Sequence, residues 1–260
     1  MLDRLIFYSN LLMAIPILPL LYWQGKQAKS AVPDLPPAQN PEGIIRKDSA
    51  SKALQILSLG ESAFAGVGLQ QHQKSITGVL AQSLAEQLNQ SINWKVIAQS
   101  GYNVEQVIKE LVPQIPSTKI DLVVIGLGAN DTFEIHFPAK WEKDMKALLL
   151  AIRKHQPACP IVIAHLPPVH QFPVLSPLLQ WFMGKFIKQY HAVNQSIVAD
   201  VPNTYYIADR IDFDNWSDRL PPKLSKEDLF CDGVHPSEFA HEIWGKEIAA
   251  FVIRQDLVIQ

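Results

Sequence analysis

Residues 54–62 of the chain read LQILSLGES, a run of mostly apolar residues that stops at a glycine, an acid and a serine. Similar short runs, rich in β-branched residues, alternate along the chain with longer segments of helical period. This alternation is typical of a parallel sheet covered by helices on both faces. The sequence therefore predicts an α/β fold with five parallel strands: Leu54–Leu59, Trp94–Ala98, Leu122–Leu127, Ile161–Leu166 and Thr204–Ile207.

Helices are predicted between these strands by stripes of apolar residues. One stripe comprises Ile76, Val79, Leu80, Leu84 and Leu88, and another comprises Trp141, Met145, Leu148, Leu149 and Ile152. Each repeats at three- and four-residue intervals, as the buried face of a helix does. A last helix is predicted from about Ser237 to Ile253.

Composition and charge exclude several classes of protein. The 260 residues carry a formal net charge of -2, so no concentrated basic surface for nucleic acid is expected. Cys159 and Cys231 are too few for a disulfide framework and lack the spacing of a zinc site. The histidines likewise show no metal-ligand spacing. We expect no metal, no cofactor and no nucleic-acid partner.

The N-terminal region divides into an apolar segment and a proline-rich one. No charged residue occurs in residues 5–23, which are about long enough to cross a bilayer. We therefore expect residues 1–25 to anchor the protein to a membrane, with a docked helix or a signal peptide as alternatives. Four prolines in residues 26–51 predict a linker, and residues 52–260 form the folded domain.

Polar residues follow several predicted strands at the point where each strand ends. The first strand runs into Gly60-Glu61-Ser62, the second into Ser100-Gly101 and the third into Gly128-Ala129-Asn130-Asp131. The block Asp232-Gly233-Val234-His235-Pro236 precedes the last helix. Since ligands bind beyond the carboxyl ends of the strands in open sheets of this kind, these blocks are the candidate site.

The residue types in these blocks suit acyl transfer from an ester. A serine hydroxyl needs an imidazole to remove its proton, and the imidazole needs a carboxylate to fix its tautomer. Ser62, His235 and Asp232 can fill these roles. The backbone N–H groups of Ser62 and Gly101 and the side-chain amide of Asn130 are candidates for an oxyanion hole.

The four blocks resemble those of the SGNH (GDSL-like) hydrolases, in the same order and at similar spacing, over roughly residues 53–251. The resemblance implies a three-layer, flavodoxin-like α/β/α fold and metal-independent hydrolysis of esters or thioesters. It assigns the nucleophile to Ser62 and the acid and base to Asp232 and His235. It also assigns the oxyanion hole to Ser62, Gly101 and Asn130.

One residue departs from the family's pattern. The first block usually reads Gly-Asp-Ser, and Glu61 stands here in place of the aspartate. Since that acid is generally a structural hydrogen-bonding residue, the change affects the geometry of the loop more than the chemistry. We interpret Glu61 and Asp131 as structural residues.

The segment Phe172–Phe186 follows the fourth strand near the expected cleft and is strongly apolar. Leu175, Trp181 and Phe182 are candidates to bind the substrate. The alternative is an ordinary buried helix with one aromatic corner, because apolar helical stripes usually belong to the core.

The sequence thus predicts a serine esterase that acts on small acyl or lipid-like esters. One alternative is an O-acetylesterase of a glycan or cell-wall polymer, which would use the same triad. Another is acyl transfer to an acceptor other than water. A third is a non-catalytic, tethered binding protein of the same fold.

Overall fold

A mixed β-sheet forms the centre of the computed structural model, which describes residues 2–48, 52–211, 213, 216, 218, 219 and 221–258. Within these residues the sheet has six strands, and their order is β1-β3-β2-β4-β5-β6. The strands are Glu42–Ile45 (β1), Leu54–Gly60 (β2), Ile92–Ala98 (β3), Leu122–Gly126 (β4), Ile161–Ile163 (β5) and Thr204–Tyr206 (β6).

The predicted parallel sheet is confirmed, with one addition. Strands β2 to β6 are the five predicted ones and pair in parallel, and β2 and β4 consist almost entirely of buried residues. Strand β1 lies antiparallel to β3 at the edge, with Glu42 opposite Lys95 and Ile45 opposite Ile92. The sheet is therefore mostly parallel rather than wholly so.

Helices form the outer layers. Their bounds are Leu2–Ala14 (α1), Leu18–Ala31 (α2), Ile76–Leu88 (α3), Val104–Gln106 (α4), Ala129–Phe133 (α5), Pro138–His155 (α6), Pro177–Asp200 (α7) and Glu238–Arg254 (α8). Helix α3 packs on α8, and α6 packs on α7. The chain leaves β2 towards β3 on one side, whereas β4, β5 and β6 follow on the other. Right-handed connections therefore place α3 and α6 on opposite faces.

Helix α6 shows how local sequence and packing agree. Pro138 occupies its first turn, where a missing N–H costs nothing, and basic residues occupy its last turn. The predicted stripe, from Trp141 to Ile152, is fully buried. Burial of each such side chain contributes about 1.5–3 kcal/mol. Beyond the helix, the side chain of Gln156 accepts a hydrogen bond from Ile120 N and so holds the start of β4.

The N-terminal segment is docked on the domain, and the expected membrane-associated location is wrong. Among the described residues, no helix has both the length and the apolar character needed to cross a bilayer. A 3-10 turn at Ile15–Ile17 separates α1 from α2. Phe7 and Ala14 are both buried and lie about two helical turns apart, on one face of α1. Phe7 packs edge-on against Phe186 of α7, with 5.2 Å between the ring centroids. Its inward face therefore contacts protein, as the docked-helix alternative predicts.

Residues 26–51 were expected to form a linker, but their described part belongs to the fold. Helix α2 extends to Ala31, and β1 joins the sheet. Between them, residues 36–39 bind the loop after β2. Gly68 N donates to Pro36 O at 3.1 Å and Ala38 N donates to Ala65 O at 3.1 Å. The prolines of this segment therefore prevent regular structure without preventing order.

Candidate active site

The loop after β2 carries Ser62 at the carboxyl edge of the sheet. The chain turns from β2 to β3 on one side of this strand and has β4 on the other, which makes this edge a topological switch point. Gly60 is required there because an added Cβ would lie 2.7 Å from Gly126 O. Glu61 N then donates to Gly126 O at 3.1 Å, which ties the loop to the end of β4. Ser62 follows and is partly exposed.

Glu61 turns its side chain inward and holds the block after β4. Its carboxylate accepts hydrogen bonds from Ala129 N at 2.8 Å and Asn130 N at 3.0 Å. It also accepts one from Asn130 Nδ2 at 2.5 Å. Only 1% of Glu61 is exposed, and this burial raises the pKa of its carboxyl to about 7 against the lowering effect of the N–H donors. These contacts support the interpretation of Glu61 as a structural residue.

Asn130 is thereby joined to the loop that contains Gly101. Besides the bond to Glu61, its Nδ2 donates to Tyr102 O at 3.1 Å. Both hydrogens of the amide are therefore engaged, one by a carboxylate and one by a backbone carbonyl. Gly101 itself has a φ of +84° and open space where a Cβ would project. Its backbone can be approached by a ligand.

Asp131 points away from this group of residues. Its carboxylate lies 2.8 Å from His136 Nδ1 and accepts a bond from Val104 N at 3.1 Å. Burial raises the pKa of Asp131, and the contact with His136 opposes that shift. The hydroxyl of Tyr190 donates to His136 O at 2.6 Å. Asp131 therefore fastens the block after β4 to α4 and α7, in agreement with a structural role.

Asp232 and His235 form a direct pair in the loop before α8. Asp232 Oδ2 lies 2.6 Å from His235 Nδ1. Asp232 Oδ1 accepts from Val234 N at 2.9 Å and from His235 N at 2.7 Å. The chain reverses its direction in this loop at Gly233, whose φ of +86° lies in the region that favours glycine. Burial raises the pKa of Asp232, but the hydrogen bonds from the His235 ring and from the two N–H groups outweigh burial and lower it.

The loop of the Asp232–His235 pair and the Ser62 loop approach each other through Gly68. An added Cβ on Gly68 would lie 2.6 Å from the Sγ of Cys231, the residue before Asp232. Phe64, two residues after Ser62, packs edge-on against Trp244 of α8 at 6.2 Å. The structure thus brings the four sequence blocks to one edge of the sheet. It links Asp232 to His235, and Glu61 to Asn130, by direct hydrogen bonds.

The three candidate substrate-binding residues differ in where they lie. Leu175 and Phe182 are 6% and 3% exposed and belong to the core, whereas Trp181 is 43% exposed. The substrate-binding role stays a prediction for all three. Of the three, Trp181 is the residue whose side chain a ligand can reach. It corresponds to the aromatic corner of the alternative prediction, an ordinary buried helix.

Two contacts of this region carry no signal in the sequence. One is the hydrogen bond from Asn130 to the carbonyl of Tyr102, because a residue of any type has this backbone acceptor. The other is the packing of residues 36–39 on residues 65–72, where His72 N donates to Gln39 O at 2.9 Å. A proline-rich composition predicts a lack of helix and strand. It does not predict where the extended backbone lies.

Comparison with known proteins identifies the family. The profile of the GDSL-like lipase/acylhydrolase family matches residues 58–243, more than two thirds of the chain. The chain belongs to this family. Its membership supports ester hydrolysis as the general class of activity, and a triad and an oxyanion hole are typical of the family. No curated protein matches the sequence.

Solved structures of similar fold include proteins described as a lipase, an esterase and a carbohydrate esterase. TesA is 19% identical with a TM-score of 0.57, and the match covers 78% of this chain and 99% of TesA. Esterase EstA from Pseudoalteromonas sp. is 18% identical with a TM-score of 0.55, covering 78% and 98%. The family 3 carbohydrate esterase of Clostridium thermocellum is 18% identical with a TM-score of 0.56, covering 80% and 100%. At these identities the likeness shows the fold.

Proposed function

We propose that this family member is a serine esterase that hydrolyses carboxylic esters through an acyl-serine intermediate on Ser62. The observation that carries the proposal is the Asp232–His235 pair. Its carboxylate is fixed by two backbone N–H groups and meets the ring Nδ1 at 2.6 Å. This contact orients the imidazole and leaves Nε2 as the nitrogen that can act as a base.

The reaction has two steps. His235 takes the proton of Ser62 as its oxygen attacks the acyl carbon, and the protonated ring then donates that proton to the leaving alcohol. Water then gives a proton to the same histidine as its oxygen attacks the acyl carbon. The bond from that carbon to the Ser62 oxygen breaks as the histidine returns the proton to this oxygen, which releases the acid and restores the hydroxyl. Asp232 holds the ring in one tautomer and stabilises its charged form.

The tetrahedral oxyanion is stabilised by the N–H groups of Ser62 and Gly101 and by the Asn130 amide. Since both hydrogens of Asn130 Nδ2 are engaged, one of them must be shared with the oxyanion or released. The bond to Tyr102 O is the longer of the two and goes to a neutral acceptor. We therefore assign the hydrogen on the Tyr102 side to the oxyanion, while Glu61 retains the other.

The test is hydrolysis of nitrophenyl esters, from acetate to long acyl chains, by the full chain and by Ser62→Ala. We expect Ser62→Ala to lower kcat by about 10⁴ or more, because the nucleophile is lost while the fold is kept. Ser30→Ala is a matched control, since Ser30 is exposed on α2 and its hydroxyl donates to Gln27 O within the same helix. Equal rates in wild type and Ser62→Ala would exclude Ser62 as the nucleophile.

A second candidate is O-acetylesterase activity on a glycan. It is supported by the structural likeness to the carbohydrate esterase of Clostridium thermocellum. The same assay separates the two substrate classes, because an acetylesterase loses activity as the acyl chain lengthens. Release of acetate from an acetylated polysaccharide, abolished in Ser62→Ala, would assign the glycan.

A further inference from the structure

A short hairpin carries the Asp232–His235 pair. Cys231 N donates to His235 O at 3.0 Å, and Phe230 forms an antiparallel bridge with Pro236. The chain therefore doubles back on itself, with the acid and the base at the turn of the hairpin. Because the backbones of Cys231 and His235 are hydrogen-bonded to each other, a displacement of Cys231 also moves His235.

The loop that carries Ser62 is a series of tight turns that extends past Gly68. Ser62 O accepts a hydrogen bond from Val67 N at 3.2 Å, and Leu69 N donates to Gly66 O at 3.0 Å. Gly68 lies among these turns with a φ of +86°, in the left-handed region that favours glycine. The turns therefore fix the position of Gly68 relative to the proposed nucleophile.

The hairpin and the Ser62 loop meet where Cys231 packs on Gly68. A Cβ added to Gly68 would lie 2.6 Å from the Sγ of Cys231, which is too close for two such atoms. The next nearest atoms are Leu35 Cδ1 at 3.4 Å and Cys231 Cβ at 3.6 Å, both at ordinary contact distances. A glycine at this position thus allows the thiol to lie against the backbone of the loop.

Cys231 contributes a neutral group to this contact. Burial of the thiol, followed by the nearby charge of Asp232, raises the pKa of Cys231 to about 11. The thiol is therefore protonated at the near-neutral pH at which a histidine acts as a base. The contact with Gly68 is one of packing, and its strength does not depend on a charge.

The segment before β1 holds Gly68 from the other side. Pro36 O accepts a hydrogen bond from Gly68 N at 3.1 Å, and Ala38 N donates to Ala65 O at 3.1 Å. Because the backbone of Gly68 is tied to this segment, it cannot readily retreat from the hairpin. A group added at residue 68 therefore displaces Cys231 rather than the Ser62 loop.

We propose that Gly68 and Cys231 are positioning residues, whose contact sets the distance between the His235 imidazole and the Ser62 hydroxyl. The proposal rests on the esterase function proposed above. Proton transfer from serine to imidazole requires the two groups within hydrogen-bond reach, and a misplacement of about 1 Å can cost about 10² in rate. Gly68 and Cys231 act on this distance through the backbones of the loop and the hairpin.

The first test is Gly68→Ala in the full chain. The added methyl group should displace Cys231, and with it His235. We expect kcat for nitrophenyl acetate to fall by about 10- to 100-fold, with KM within about twofold of wild type. The melting temperature should fall as well, because alanine is strained at this positive φ. A variant with the kcat of wild type would overturn the proposal.

The double variant Gly68→Ala/Cys231→Ala separates positioning from a general loss of stability. Once Sγ is removed, the nearest atom of residue 231 lies 3.6 Å from the added methyl group. We expect kcat to return to that of Cys231→Ala, itself within about fivefold of wild type. The melting temperature should stay low, because the strain at residue 68 persists. A kcat as low as that of Gly68→Ala would show a merely structural effect and would overturn the proposal.

Gly66→Ala is the matched control for this rescue. Gly66 lies in the same loop at a φ of +63°, but its added Cβ would lie 2.8 Å from Ala38 Cβ, with His72 as the next nearest residue. Cys231→Ala should therefore restore no activity to Gly66→Ala. If Cys231→Ala restored both glycine variants equally, the specific contact between Gly68 and Cys231 would be excluded.

Ser62→Ala in the same assay distinguishes failure of this proposal from failure of the esterase proposal. If Ser62→Ala is as active as wild type, the esterase mechanism is wrong and the positioning role is wrong with it. If Ser62→Ala is inactive while Gly68→Ala keeps its full kcat, the mechanism stands and only the positioning role is excluded.

Discussion

The Ser62 loop and the loop of the Asp232–His235 pair each contain a carboxylate that accepts three hydrogen bonds, yet the two carboxylates differ in character. Glu61 receives N–H groups only from the backbone and amide of the block after β4, and burial raises its pKa to about 7. Asp232 receives two N–H groups and the imidazole of His235, and its pKa is lowered. The hydrogen bond from His235 helps to keep Asp232 in its charged form. Glu61 instead serves to position the block after β4.

Asp232→Asn is expected to have the largest effect on activity. The asparagine keeps the shape of the loop but presents an N–H to His235 Nδ1, so the ring adopts the wrong tautomer. We expect kcat for nitrophenyl acetate to fall by about 10⁴, with little change in the melting temperature. Asp228→Asn, an exposed capping residue in the preceding turn, should retain activity. Full activity of Asp232→Asn would remove the pair from the mechanism.

Shortening the side chain of Glu61 should have a smaller effect on activity. Glu61→Asp restores the family's usual residue but withdraws the carboxylate by one methylene from Ala129 N and Asn130 N. We expect kcat to fall by about 10²-fold with KM nearly unchanged, because the Asn130 donor is misplaced rather than lost. Steady-state kinetics on nitrophenyl acetate measure the split between kcat and KM. A variant as fast as wild type would show that the longer side chain is not needed here.

The smallest expected effect concerns stability against pH. Because the pKa of Glu61 is raised in the folded state, its contribution to stability is present below about pH 4.5 and is lost as pH rises to about 7. Asp232 has the opposite sign, since its stabilisation is present above the usual pKa of an aspartate and is lost as pH falls through its lowered pKa. As pH rises between these two values, the free energy of unfolding of Glu61→Gln should therefore increase by about 1–3 kcal/mol relative to that of wild type.

Urea unfolding of both proteins at the two pH values measures this gain. Buried histidines also make stability depend on pH in this range, because burial lowers the pKa of His241 to about 3 in the folded protein, whereas it titrates at its ordinary value in the unfolded chain. Their contribution is common to wild type and Glu61→Gln, and it cancels in the difference. A difference that does not change with pH would show that Glu61 is not the group responsible.

The sequence predicted the features that depend on local pattern. Buried parallel strands are apolar throughout, so β2 and β4 are recognisable from residues 54–60 and 122–126 alone. The blocks at their ends could be placed at one edge of the sheet because parallel strands all point the same way. The Asp232–His235 contact followed from their three-residue separation.

Features that depend on distant partners could not be predicted in this way. Strand β1 has four residues, and their composition does not indicate that they pair with β3 or in which register. Leu175 and Phe182 are apolar at helical spacing, which fits a binding face and a core face equally well. Of the apolar residues 5–23, Phe7 is buried and packs on α7, a partner that lies far along the chain.

Strand β1 has a practical consequence for anyone who shortens this chain. It covers the outer edge of β3, where Val96 N also donates to Pro41 O at 2.7 Å. A protein cut just before residue 52 would retain every residue of the proposed chemistry but would expose an unpaired strand edge. Such an edge is a template for other chains and promotes aggregation. Domain boundaries for recombinant expression should therefore be set before Pro36, so that the edge remains protected.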